Sequence, residues 1–211
     1  MPRLPLDLPP VRATAPAIAQ AVARATTLAV SLLCTPAQAV FAAEPDDAPR
    51  WTAEGHLELP RNYREWVFLG APLTPNALNG GAAGFPEFHN VYIQRHALEA
   101  YRNTGSFAEG TVLLKELQLV RPGNASDGST VEASGRGYFP GDPNGIDVAV
   151  KDSRRFAETN GWGFFNFGHH APPYAETAAP APAEACAACH AANATEEMVF
   201  TKFYRVILDK R

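Results

Sequence analysis

Thr111-Val112-Leu113-Leu114-Lys115-Glu116-Leu117-Gln118-Leu119-Val120 is the stretch that decides the fold. The turn pair Glu109-Gly110 precedes it, and the turn cluster from Asn124 to Gly128 follows it. An apolar run of this length between turn signals reads as a β-strand. Period-two alternation puts Lys115 on one face with Leu113, Leu117 and Leu119, unless a bulge flips the register. Val112, Leu114, Glu116 and Gln118 fall on the other face. An ammonium among apolar side chains is costly, and desolvation makes such a lysine a nucleophile. A lysine that packs its stem and extends its head to water satisfies the same pattern.

Further strands are predicted on both sides of this one. Phe88 to Ile93 alternates, with His89, Val91 and Ile93 on one face, and Val67 to Leu69 has the composition to start a strand. Downstream, Val131 to Phe139, Ile146 to Val150 and Trp162 to Phe167 read as strands. Ala97 to Arg102 reads as a short helix stopped by Asn103-Thr104-Gly105. Short turns favour antiparallel pairing. The expected fold is mainly β (α+β): an antiparallel sheet of about five or six strands with short helices. A four-helix bundle is excluded, because turns interrupt any helical period about every ten residues.

Length and charge bound the function. The chain has 211 residues, enough for one domain with a real core. Its net charge of −4 leaves no basic footprint for nucleic acid. Residues 1–39 read as a signal peptide. Arg3 and Arg12 precede a short apolar core from Thr26 to Leu33, and Ala37-Gln38-Ala39 is an A-x-A cleavage site. That core is far too short to span a membrane, which takes roughly 20 residues. Cys34 lacks the small preceding residue that lipidation requires and is read as discarded with the leader. Residues 40–50 are an acidic linker and 51–211 the folded domain, placed in the periplasm by export.

The mature chain then keeps two cysteines, both in Cys186-Ala187-Ala188-Cys189-His190. C-x-x-C-H is the attachment signature of a c-type haem. The thiols reach two vinyl groups of one porphyrin, and the histidine offers its imidazole to the iron as proximal ligand. A chance match, a redox dithiol and half of a zinc site are the rivals. Zinc wants a second C-x-x-C, and a thioredoxin-like dithiol wants a βαβ unit; neither is present. The motif is expected to open a helix through Ala194, and a second helix is expected to restart near Thr195 with an apolar face of Phe200, Phe203 and Tyr204. Met198 lies too close to His190 in sequence to reach the far side of the same haem. His89 fits a proton donor or acceptor beside the haem, a sixth iron ligand, or a hydrogen-bonded core histidine. His169-His170 reads as exposed loop. Phe85, Phe88, Phe164, Phe165 and Phe167 read mostly as core, with one or two available to cap an open iron site.

These residues, taken together, resemble the cytochrome P460 family and its non-cross-linked relatives, the cytochromes c'-beta. The resemblance runs through Leu59-Pro60-x-x-Tyr63-Arg64-x-Trp66-Val67 and Phe88-His89-Asn90-Val91-Tyr92. It continues in Thr104-Gly105-x-Phe107-x-x-Gly110-Thr111-Val112-x-x-Lys115-Glu116-Leu117, Val150-Lys151-Asp152-x-x-Arg155-Phe156 and Gly161-Trp162-x-Phe164. It ends in the haem motif and Val199-Phe200-Thr201-x-Phe203-Tyr204. It implies one haem c per chain with His190 as proximal ligand, an open distal side for hydroxylamine or nitric oxide, and a homodimer. An external electron acceptor such as another cytochrome is implied as partner. It also implies a cross-link from Lys115 to a haem meso carbon, and a distal carboxylate just upstream of the motif, for which Glu184 is the candidate. Hydroxylamine oxidation is the leading expectation; a nitric-oxide-binding protein and an electron-transfer cytochrome are the alternatives.

Overall fold

The computed structural model describes residues 47–209. The expected leader, Cys34 and most of the expected linker lie outside the described residues. No helix among those described is long and apolar enough to cross a membrane.

The architecture is mainly β, as expected. The central sheet has five antiparallel strands: β2 (Val67–Gly70), β3 (Phe88–Ile93), β4 (Val112–Val120), β7 (Pro140–Lys151) and β8 (Trp162–Asn166), in that spatial order. Each strand therefore pairs with a neighbour close in sequence except where β4 meets β7. The short hairpin of β5 (Thr130–Glu132) and β6 (Gly135–Gly137) fills that gap in the chain. The single strand expected over 131–139 is thus two short strands and a turn. Gly135, at φ 118, lets the chain reverse there. A further small pair joins β1 (Leu57–Glu58) to β9 (Thr177–Ala178).

β4 is buried on both faces along most of its length, as a central strand should be. One face of the sheet packs Val91, Ile93, Leu113, Trp162 and Phe164 against helices α1 (Arg95–Thr104), α2 (Ala187–Asn193) and α3 (Arg205–Leu208). The other packs Val112, Leu114, Val148 and Phe165 under the β1–β9 pair and Tyr63. Leu119, expected on the face of Lys115, is 41% exposed. The register slips between Leu117 and Val120 as β7 bulges, so the alternation that holds at Lys115 fails beyond it.

On the far face Glu116 is buried, and its carboxylate accepts the Tyr63 hydroxyl proton (2.8 Å) and an Arg64 guanidinium. Helix α1 begins after Gln94 and ends at Gly105, which adopts φ 79 and donates its N–H to Tyr101 (2.7 Å). The helix expected to restart at Thr195 is absent. Glu197 and Met198 take positive φ instead, folding 196–199 into a tight turn that a helix cannot contain. A 3₁₀ turn over Thr201–Phe203 and then α3 follow.

Gln94 ties three segments together. It is fully buried; its side-chain oxygen accepts from Val112 N (2.6 Å), and its amide donates to the carbonyls of Asp47 (2.7 Å) and Gly110 (3.4 Å). Gln94→Leu keeps the volume and leaves those groups buried without partners. The expected destabilisation is on the order of 3 kcal/mol, measured by urea denaturation.

Candidate functional site: a histidine and thiol pair beside the sheet

Helix α2 presents the C-x-x-C-H motif. Cys186 caps it, Ala187 is buried as its anchor, and Cys189 is exposed. Spacing of three places the two thiols on one helical face, and the two intervening alanines carry no bulk to obstruct a planar ligand. His190 follows on the side that faces the sheet. Its ring centroid lies 4.5 Å from that of Phe164 and 4.9 Å from that of Phe200.

His190 is prepared as a ligand. Its Nδ1 lies 2.6 Å from the Met198 carbonyl oxygen. A carbonyl only accepts, so Nδ1 carries the proton and the Nε2 lone pair is left free. Burial lowers the imidazole pKa, and the Lys115 charge lowers it further against the Met198 bond, so the ring is neutral, as metal ligation requires. Met198 is buried in the core and takes part through its backbone. Among the described residues no three His, Cys, Asp or Glu side chains converge as a protein-only metal cage would need. The two thiols, the free Nε2 and the aromatic walls fit a porphyrin instead.

The antiparallel register builds the rest of the site. Val91, Lys115, Asp147 and Asn166 are successive cross-strand partners on β3, β4, β7 and β8. Lys115 Nζ lies 2.9 Å from Asp147 Oδ2, and each side chain is 25% exposed. Phe85 lies under the ammonium, its ring centroid 4.1 Å from Nζ. Asn166 Nδ2 donates to Asp147 Oδ1 (2.7 Å), and His169 Nε2 approaches Oδ2 at 3.1 Å. Gly145 permits this: a Cβ there would sit 2.8 Å from the Gly168 oxygen and 3.0 Å from the His169 ring. Lys115 therefore stands on the face predicted for it, partnered by a carboxylate.

Burial alone would raise the Asp147 pKa. The hydrogen bond from His169, the Lys115 charge and the Asn166 amide outweigh it and hold the carboxyl well below its usual range. The same bond to Asp147 raises His169. His89 flanks this cluster: its Nε2 lies 3.2 Å from the Phe85 oxygen, its ring packs edge-on against Phe85, and burial followed by the Lys115 charge lowers its pKa. Glu184, the candidate carboxylate upstream of the motif, is exposed. Asp147 is the carboxylate beside Lys115, and His169, exposed in its loop as expected, reaches it. Sequence reasoning missed Asp147 and the bond from His169 to it. Only the pairing of β4 with β7, across the intervening hairpin, reveals them.

Sheet row, neutral histidine and thiol pair occupy one continuous stretch of chain that also carries the family signature. A model of the family described as Cytochrome P460 matches residues 60–201, which is 142 of 211 positions. The chain belongs to the cytochrome P460 family. Membership makes it a haem protein, in agreement with the groups assembled around His190. The match spans β2 to the 3₁₀ turn at Thr201 and so includes Lys115, Asp147 and the whole motif. No curated protein matches the chain.

The Asp147 cluster has a defined pH signature. Its depressed carboxyl contributes stability above the unfolded Asp pKa near 3.8, which is lost as pH falls through the folded value. The raised His169 contributes below the unfolded His pKa near 6.5, and loses it as pH rises through the folded value. Asp147→Asn removes both. The stability gap between wild type and variant is expected to be widest between about pH 4 and 6.5, narrowing on either side, as read from urea midpoints across pH.

Proposed function

We propose that this chain is an exported, periplasmic c-type monohaem enzyme that oxidises hydroxylamine to nitrous oxide or nitric oxide. The observation that carries the reading is the Lys115–Asp147–His169 cluster on the sheet face that also carries His190. Cys186 and Cys189 would hold the haem by thioethers, and His190 Nε2 would ligate its iron. The haem, when bound, supplies the iron that holds the small nitrogen ligand and passes its electrons to an external acceptor such as another cytochrome. A homodimer is part of the proposal by family resemblance.

The protein's own groups handle protons and water. Phe85 covers one side of the cluster, against the Lys115 ammonium and the His169 ring. Hydroxylamine oxidation releases protons, and Asp147 is the carboxylate placed to take them, with half-exposed His169 as its outlet to solvent. While Lys115 is an ammonium, it holds Asp147 as a weak base. A bond from the Lys115 nitrogen to a haem meso carbon would form with loss of three protons, two from the ammonium and one from the carbon, and of two electrons. An oxidant of the peroxide class would take both electrons and two of the protons to form water, and the third proton would pass to solvent. The product is an aryl amine without the ammonium charge. Asp147 then loses its strongest charged partner, and its pKa rises toward that of an effective general base. His89 stays a neutral neighbour held by Phe85.

The same pair supports a second reading. With Lys115 free and ionised, Asp147 remains a poor base, and the protein binds nitric oxide without turnover, as a cytochrome c'-beta does. Mass spectrometry of the haem peptide separates the two. A Lys115 cross-link with a red-shifted ferrous Soret band is expected, and a haem peptide carrying only two thioethers turns the assignment to the binding protein. Lys115→Arg keeps the ion pair to Asp147 but should lose both the red shift and hydroxylamine turnover. Asp147→Asn should retain the cross-linked spectrum and lower turnover by about 10²–10⁴-fold.

A further inference from the structure

A strained turn stands behind His190. Glu197 and Met198 lie at φ 43 and 68, between Glu196 and Val199, whose backbones bond across the turn (Val199 N to Glu196 O, 2.8 Å). Two-residue turns with both φ positive favour Asn-Gly, because side chains crowd the backbone there. Here a glutamate and a methionine occupy the positions, so something outside the turn has to hold it. Three elements do. Glu197 Oε1 accepts the Phe107 N–H (3.2 Å), and Oε2 meets Lys151 Nζ at 3.1 Å. The Lys151 side chain, at the end of β7, is only 12% exposed; its ammonium also donates to the Asn160 carbonyl (3.4 Å) and lies 5.6 Å from the Trp162 ring centroid. Asn160 in turn donates to the Met198 sulfur (3.4 Å).

The turn has one outward consequence. It aims the Met198 carbonyl at His190 Nδ1, 2.6 Å away. A bond from Nδ1–H to a carbonyl polarises the imidazole and strengthens Nε2 as a donor to metal. We infer that Lys151 and Glu197 are a positioning pair: by holding the Glu197-Met198 turn in its left-handed conformation, they set the donor strength of His190 toward the haem iron. Without the Lys151 charge, the half-buried Glu197 carboxylate loses its partner. The turn then relaxes toward negative φ and withdraws the carbonyl.

The inference rests on His190 being the axial ligand, and the test separates the two. Resonance Raman spectra of the ferrous holoprotein report the iron–histidine stretch. Absence of that band from wild type would sink the ligand assignment itself. With the band present, Glu197→Gln and Lys151→Met are expected to lower its frequency and raise the haem midpoint potential, while Lys151→Arg keeps both. Glu197→Gln combined with Met198→Gly is the decisive variant, since glycine accepts positive φ without the ion pair. Restored frequency and potential in that double variant support positioning. Unrestored values, or wild-type values in both single variants with haem loaded, overturn it. The double variant also covers the case in which Glu197→Gln alone fails to fold.

Discussion

Pairing of β4 with β7 in one antiparallel register is the constraint on which the site depends. It brings residues 115 and 147 opposite each other although 32 positions separate them in the chain. Once that register holds, the row extends without further choice to Val91 on one side and Asn166 on the other. A slip of one residue would send Lys115 to the far face, among Val148 and Phe165. The apolar side chains on both faces penalise that slip, so the packing that stabilises the sheet also places the Lys115 ammonium beside Asp147. Desolvation offsets part of the attraction of Lys115 for Asp147, and the carboxylate is held ionised only with the added bonds from His169 and Asn166. The presence of the pair is better explained by the site than by the fold.

The haem end obeys a different logic. α2 is short, and its seven residues would not form a stable helix in isolation. Ala187 packed into the core and the bond from His190 to Met198 hold it against the sheet. The C-x-x-C-H motif and the sheet row thus come from independent parts of the structure.

Much of this was legible in the residues. The Thr111–Val120 alternation gave the central strand and the side of Lys115, and turn signals marked most strand limits. The motif marked Cys186, Cys189 and His190 as candidates, and the structure places all three on or at the start of one short helix. What stayed hidden was long-range. Asp147 sits in Gly145-Ile146-Asp147-Val148, where a polar residue in alternation reads as facing solvent until its partner strand is known. His169 is the exposed loop residue its sequence suggests; what stayed hidden is that the closeness of Gly145 to Gly168 lets its ring reach Asp147. The 195–199 segment has helical composition, with two glutamates and a methionine. Tertiary anchors at Phe107, Lys151 and Asn160 overrode that local preference. The end of β4 misled for the opposite reason: a bulge on β7 broke a period that the sequence carries cleanly through Leu119.

Glu116 lies next to Lys115 in β4 and points the other way, gripped by Tyr63 and Arg64. The strand at this point is a beam clamped from behind. Any slackening of the clamp shifts the beam as a unit, and Lys115 moves with it. A change at Tyr63, which makes no contact with the haem face, is therefore transmitted through the strand as a displacement of the amine. Side chains on the reverse of the sheet thus set the position of the Lys115–Asp147 pair without touching it.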